Sequence, residues 1–317
     1  MQKRLLRAFL LLSIIIAMSF TFAGCDPRED GDKIDITAVT FPCYDFARAV
    51  AKDRADIAML IRPGAEIHSY DPSPQDIAAI AKSDVFIYIG GESDAWVDRI
   101  IDAIDADKVK IVRLIDYVEA VEEEIVEGME EEEAGDGGEE EAEYDEHIWT
   151  SPTNAIIMID ALCGVLSELD GGNAEFYAEN AESYTGEIAA VRDEIADVVA
   201  AASVKKIVVA DRFPFRYFAD EFGLEYSAAF PGCSDEADAS PATIQYLINA
   251  VKNENIACVY YVELSNQGIA NIIKEETGCQ TALLHSCERP TADEFNSGAT
   301  YVTFMKNNVQ ALKKGVK

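Results

Sequence analysis

The chain has 317 residues, 49% of them apolar, with 59 acidic against 26 basic side chains and a formal charge of −33. Such a length buries one large core or two moderate ones, and the apolar share is that of an ordinary globular fold. The charge excludes binding of nucleic acid or an anionic bilayer through a basic face, which needs clustered Lys and Arg; cations are what this surface attracts.

Taken in order, Lys3, Arg4 and Arg7 precede an apolar stretch over residues 9–18. This is the pattern of an export signal, too short for a comfortable membrane span. It closes on Thr21-Phe22-Ala23-Gly24-Cys25, where small residues directly before a Cys resemble the lipobox of bacterial lipoproteins. That resemblance implies removal of residues 1–24 and lipid on the Cys25 thiol, which anchors the chain to the outer face of the cell membrane. Residues 25–33 then form a polar tether. No later stretch reads as long and apolar enough to cross a bilayer.

Alternation follows. Strands are expected over 34–40, 56–61, 84–89 and 109–114, with helices over 45–52, 73–81 and 94–104. Ser73 caps the second of these helices, with Pro74 in its first turn and Asp76 near its positive end. Strands and helices at this spacing argue for parallel βαβ units. Residues 121–146 are dominated by Glu, with little to bury, and are expected to be a disordered acidic loop. Helical periodicity resumes at Pro152 and runs to residue 169. A second helix over 173–203 is long enough, at 1.5 Å per residue, to span roughly 45 Å. Beyond it, strands over 206–210, 224–230, 257–263 and 280–285 alternate with helices over 212–222, 243–253, 267–277 and 300–313. The expected fold is therefore α/β. Two lobes (34–172 and 204–317), each with a roughly four-stranded parallel sheet flanked by helices, are joined by one long rigid helix.

Chemistry concentrates on three His, the only ones in the chain: His68, His147 and His285. In open parallel sheets, ligands sit beyond the carboxyl ends of the strands. Each His falls at such an end or at a loop edge. Three imidazoles suit Zn²⁺ in a tetrahedral site. Of the six Cys after Cys25, Cys163 and Cys258 lie in apolar patterns and are expected to be buried. Cys43, Cys233 and Cys287 sit in turn-like sequence expected to face a cleft, and the spacings fix no disulfide.

The runs Phe41-Pro42, Pro63-Gly64-Ala65-Glu66-Ile67-His68-Ser69-Tyr70-Asp71-Pro72, Asp145-Glu146-His147-Ile148-Trp149-Thr150-Ser151-Pro152 and Gly298-Ala299-Thr300-Tyr301-Val302 match one family in order. In them the chain resembles the zinc- or manganese-type metal-binding lipoproteins, the extracytoplasmic receptors of ABC importers. The resemblance implies a metal between two α/β lobes and an ABC permease as partner. It also implies a monomer that is not an enzyme. His68 and His147 match the family's first two ligands. The third position, five residues before Tyr217, holds Arg212, which has no free lone pair. In this match the family's acidic fourth position falls on His285. Glu66, Asp211, Arg212, Asp235 and Glu263 are the candidates for a fourth ligand or its support, with water or a Cys thiolate as further alternatives. Three imidazoles favour Zn²⁺ over the alternatives Mn²⁺ and Fe²⁺. Two other readings are a zinc-dependent hydrolase, which lacks an obvious general base here, and a surface adhesin.

Overall fold

The computed structural model describes residues 33–101, 104, 108–129, 144–234 and 239–315. The leader, the Cys25 position and Asp235 lie outside the described residues, as does the middle of the acidic run.

The first sheet contains β1 (Ile34–Ala38), β2 (Ala55–Met59), β3 (Val85–Tyr88) and β4 (Lys110–Arg113), all parallel in the order β2-β1-β3-β4. Its first helices are α1 (Phe41–Ala51), α2 (Pro74–Ile80) and α3 (Trp96–Ile101). The Ser73 cap forms as expected, as a reciprocal capping box with Asp76. The second sheet contains β5 (Lys206–Arg212), β6 (Glu225–Phe230), β7 (Cys258–Tyr261) and β8 (Gln280–Leu283), parallel in the order β6-β5-β7-β8. Both sheets reverse strand order beside their first strand, which opens a crevice at the carboxyl ends. The two four-stranded sheets are those expected from the periodicity.

Between them run α4 (Pro152–Leu169) and α5 (Ala174–Ala201). Along α5 the buried side chains are Tyr177, Ala181, Tyr184, Ile188, Val191, Ile195 and Val198, spaced alternately four and three residues apart. That spacing keeps one apolar stripe on one face over about 32 Å at 1.5 Å per residue. The stripe packs against α1 of the first lobe, against α4, and against α10 (Tyr301–Gly315) of the second. One apolar cluster therefore runs through both halves, from Phe46 through Trp149 to Phe304. By length and composition α4 does meet the criterion for a membrane span, contrary to the reading of the sequence. Here it buries Met158, Ile159 and Leu162 against the protein's own core. The rest of the second lobe is α6 (Arg216–Phe222), α7 (Pro241–Asn253), α8 (Gly268–Thr277) and the short α9 (Ala292–Asn296).

The flanks of the acidic run differ from expectation. Residues 121–129 and 144–145 are folded against the second lobe rather than free, while Glu146 turns to Ser93 of the first. Glu122 bridges Tyr144, and the Glu123 carboxylate accepts from Gly232 N at 2.8 Å and Cys233 N at 3.4 Å. Glu124 pairs with Arg216 at 2.6 Å, and Met129 is buried. Composition favours solvation here, but specific partners on the second lobe give these carboxylates a place to bind.

Candidate metal site

Each lobe contributes its strand-end loops to one narrow pocket of about 10 Å³, lined by His68, His147, Arg212, Glu288 and Arg289 among others. That is about the room one water-sized sphere needs. Among the described residues, one group of His, Cys, Asp and Glu has its ligand atoms within 4.8 Å of one another: His68, Glu146 and His147. The two rings stand 5.8 Å apart, centre to centre.

His68 lies in the loop after β2, and its orientation is set from the loop after β3. Its Nδ1–H donates to Ser93 Oγ at 2.6 Å, with Glu146 Oε1 3.2 Å away. The Ser93 hydroxyl donates onward to the same carboxylate, and Ser93 N donates to Glu146 Oε2 at 3.0 Å. Burial opposes the charge on Glu146, but the bond from His68 and the nearby His147 outweigh it and hold the carboxyl down at about 2. Glu146 is therefore an anion that fixes the His68 tautomer and leaves Nε2 toward the pocket. Gly91 makes room for it: a Cβ there would overlap both the Glu146 Cβ and its carboxylate. A Gly91→Ala variant should lose about 10–100-fold in metal affinity, the usual cost of disturbing an orienting partner. It should also lose about 1–3 kcal/mol of stability through overpacking. Metal titration and thermal melts of the purified variant would check both.

His147 is fully buried and follows the acidic run directly. Asp145 Oδ1 accepts from its backbone N at 2.8 Å and faces its Nδ1 at 3.0 Å. Asp145 is held in turn, since its carbonyl accepts from Tyr217 Oη at 2.7 Å. A carboxylate opposite Nδ1 demands a proton there, so in the neutral ring the lone pair lies on Nε2. That Nε2 is buried with no hydrogen-bond partner. A buried ring nitrogen left without a partner beside a second imidazole is what a cation site needs, the cation taking the place of its proton. Burial works against charge on this ring, but Asp145, with Glu288 and Glu146, overrides it and raises the pKa to about 9. Gly232 lies against the same ring, its absent Cβ 3.0 Å from His147 Cε1.

His285 was expected as the third imidazole, and it is not in this group. Its ring stacks on Phe304 at 3.9 Å. Its Nδ1 accepts from Cys287 N–H at 2.9 Å, so the neutral ring carries its proton on Nε2. That Nε2 is buried without a partner, as in His147, but here Nδ1 is the acceptor and is already engaged, so neither nitrogen of the neutral ring offers a free lone pair. Glu263 stands 3.5 Å from His285 Nδ1 and accepts from Ser286 N at 2.9 Å and from the Ser286 hydroxyl. Burial resists its charge, but His285 and Ser286 outweigh that and hold the carboxyl below its ordinary range.

Three residues beyond His285 stands Glu288, an acidic side chain on the same pocket, though outside the 4.8 Å group of His68, Glu146 and His147. It is buried and lines the pocket with His68 and His147. Burial raises its pKa, while the two imidazoles pull it back down. Sequence reasoning missed it. The usable signal was an acidic residue just past the last strand, in Ser286-Cys287-Glu288.

The remaining candidates are accounted for individually. Glu66 is part-exposed, and its two oxygens face Arg212 at 3.5 Å and Arg289 at 2.8 Å. Arg212 ends β5 at a register shift between Val209 and Arg212, the kind of irregularity that re-aims a side chain at a sheet end. Asp211 lines an adjoining cavity, and burial raises its pKa. The thiols offer little. All six described Cys are free. Cys43 sits inside α1 rather than on a cleft loop, and burial pushes it up to about 12. Cys287 is likewise buried and raised well above its ordinary value by burial. At Cys233, burial and the carboxylates around it raise the thiol, so a thiolate is disfavoured at all three.

Two α/β lobes whose loops line one narrow pocket, with the imidazoles of His68 and His147 side by side in it, define a cleft protein with a cation-sized site. The chain belongs to the family described as ZnuA, zinc-uptake complex component A periplasmic, whose model matches residues 36–315. It is 32% identical over 96% of its length to "Zinc-binding lipoprotein AdcA" of Streptococcus pneumoniae serotype 4, spanning 60% of that relative. It is 28% identical to "High-affinity zinc uptake system protein ZnuA" of Bacillus subtilis, over 96% of this chain and 94% of that one. Among solved structures, the Zn(II)-bound ZnuA-like domain of Streptococcus pneumoniae AdcA superposes with a TM-score of 0.74 at 29% identity. That match covers 90% of this chain and 99% of the other.

Proposed function

We propose that the chain is an extracytoplasmic receptor that takes one Zn²⁺ into the cleft and hands it to an ABC permease, and that lipid on Cys25 holds it at the membrane. His68, His147 and Glu288 are the protein ligands in this reading, with Glu146 and Asp145 orienting the two imidazoles. The observation that carries it is the buried, unpartnered Nε2 of His147 facing the His68 pocket. Two imidazoles and a carboxylate form a donor set that zinc accepts. The zinc-binding names of the relatives support that ion over Mn²⁺ or Fe²⁺. A receptor fits better than a hydrolase, because the carboxylates beside the His68 and His147 rings are committed to holding them and neither is free to act as a general base. Glu288 is counted among the ligands.

The test is a titration of the metal-free protein by calorimetry, which should show one tight equivalent of Zn²⁺. No binding would overturn the proposal. The same titration reads the proton balance. With its pKa raised to about 9, His147 is protonated at neutral pH, and a metal ligand must be neutral. Zinc therefore displaces about one proton below pH 9, and affinity rises about tenfold per pH unit from 7 toward 9, then flattens. In the metal-free fold the sign is opposite. The stability contributed by charged His147 is fully present below its ordinary value of 6.5 and is lost as pH climbs through about 9. Titrations in buffers of different ionisation heat count the released protons directly.

A further inference from the structure

The place where the family resemblance expects a third imidazole carries Arg212, and a second guanidinium, Arg289, stands beside it. Both line the pocket that holds His68 and His147, and both line an adjoining cavity of about 250 Å³ with Ser265 and Asn266. Neither can ligate a cation. Together they leave the cation one protein ligand short and set fixed positive charge beside it. Glu66 spans them, at 3.5 Å from Arg212 Nη1 and 2.8 Å from Arg289 Nη1. Even so, Arg289 Nε is buried without a hydrogen-bond partner among the described residues.

An anion answers both problems. A planar oxyanion matches the guanidinium fork with paired charge-assisted hydrogen bonds, and its remaining oxygen is a donor for a divalent ion. Glu66 already demonstrates that a carboxylate fits between the two side chains. It is 37% exposed and stands on a loop, so it can yield the place by turning to solvent. The cavity is large enough for carbonate or a small carboxylate and shares Arg212, Val262, Glu263 and Arg289 with the pocket of the imidazoles.

We propose that Arg212 and Arg289 hold a small planar oxyanion, carbonate or carboxylate, that enters the cleft with the cation and supplies its missing ligand. This rests on the zinc reading above. The metal-free full chain would be titrated with Zn²⁺ in carboxylate-free buffer stripped of carbon dioxide, then with sodium bicarbonate added, then with sodium acetate added. Affinity should rise at least about tenfold in one of the two anion arms, the worth of one charge-assisted bond. The arm that responds identifies the source. The double variant Arg212→Gln, Arg289→Gln should lose that dependence, and Arg212→His should bind zinc equally with and without anion. As a second readout, ¹³C-bicarbonate should give a protein-bound NMR resonance only when zinc is present, if carbonate is the anion. Equal zinc affinity in all three buffers would overturn the proposal and leave the zinc reading standing. Absence of zinc binding in every buffer would overturn both.

Discussion

Zinc affinity in a His147→Ala variant should fall by more than about 100-fold, and in Glu288→Ala by a similar factor, whereas His285→Ala should leave it within about tenfold. The first two changes remove ligands, so their cost exceeds the 10–100-fold that orienting partners usually carry. Asp145→Asn should fall inside that lower range, because it leaves the imidazole but removes the carboxylate opposite Nδ1 at 3.0 Å. The His285 change acts on stability instead. Its ring stacks on Phe304 and is buried, so truncation opens a cavity worth about 2–5 kcal/mol. Thermal melts and zinc titrations on the same four proteins separate the two effects. A His285→Ala protein that folds but binds no zinc would show that the ligand set assigned here is wrong.

That contrast between His147 and His285 also marks the limit of what the residues reveal. All eight strands were legible, because short apolar runs bounded by turn residues admit little else between helical periods. Both His motifs were legible too, and so was the loss of a ligand at Arg212. Which nitrogen of an imidazole keeps its lone pair was not. It is decided by a backbone turn: Cys287 has φ of 66°, and its N–H meets His285 Nδ1. No periodicity records that turn, so the sequence reading put the acidic fourth position on His285, and the proposal above moves it three residues on, to Glu288. The short helix α9 was missed although its signal was present, a Thr291 capping box closed by Glu294. The flanks of the acidic run failed for a different reason. Local composition there favours water, and the partners that override it are Gly232, Cys233 and Arg216, roughly ninety to a hundred and ten residues away in the chain.

An Asp45→Ala variant should be destabilised by about 3–5 kcal/mol, the usual cost of breaking a buried charge pair from one side. Asp45 is 1% exposed, at the start of the first lobe's helix α1. Its carboxylate accepts from Arg48 at 2.5 Å, from the Tyr184 hydroxyl on α5 at 2.5 Å, and from Tyr301 N at the start of α10 at 2.8 Å. One side chain therefore ties the first lobe, the connecting helix and the last helix of the second lobe. Removing it leaves a buried hydroxyl and a helix N-terminal N–H without this acceptor, and leaves the half-buried Arg48 with the Ala299 carbonyl. The same junction reaches toward the site: the Tyr301 hydroxyl donates to Trp149 O, and Trp149 Nε1 donates to Ser286 O. Both bonds survive in the variant, so the protein that remains folded should keep its zinc affinity within about tenfold. With ΔΔG of this size in a chain this long, the melting temperature should drop by roughly 10 °C. Denaturant unfolding would give the free energy. A loss below about 1 kcal/mol would mean that the lobes are held by the apolar stripe of α5 alone. They could then hinge far more freely about that helix than a shared buried carboxylate allows.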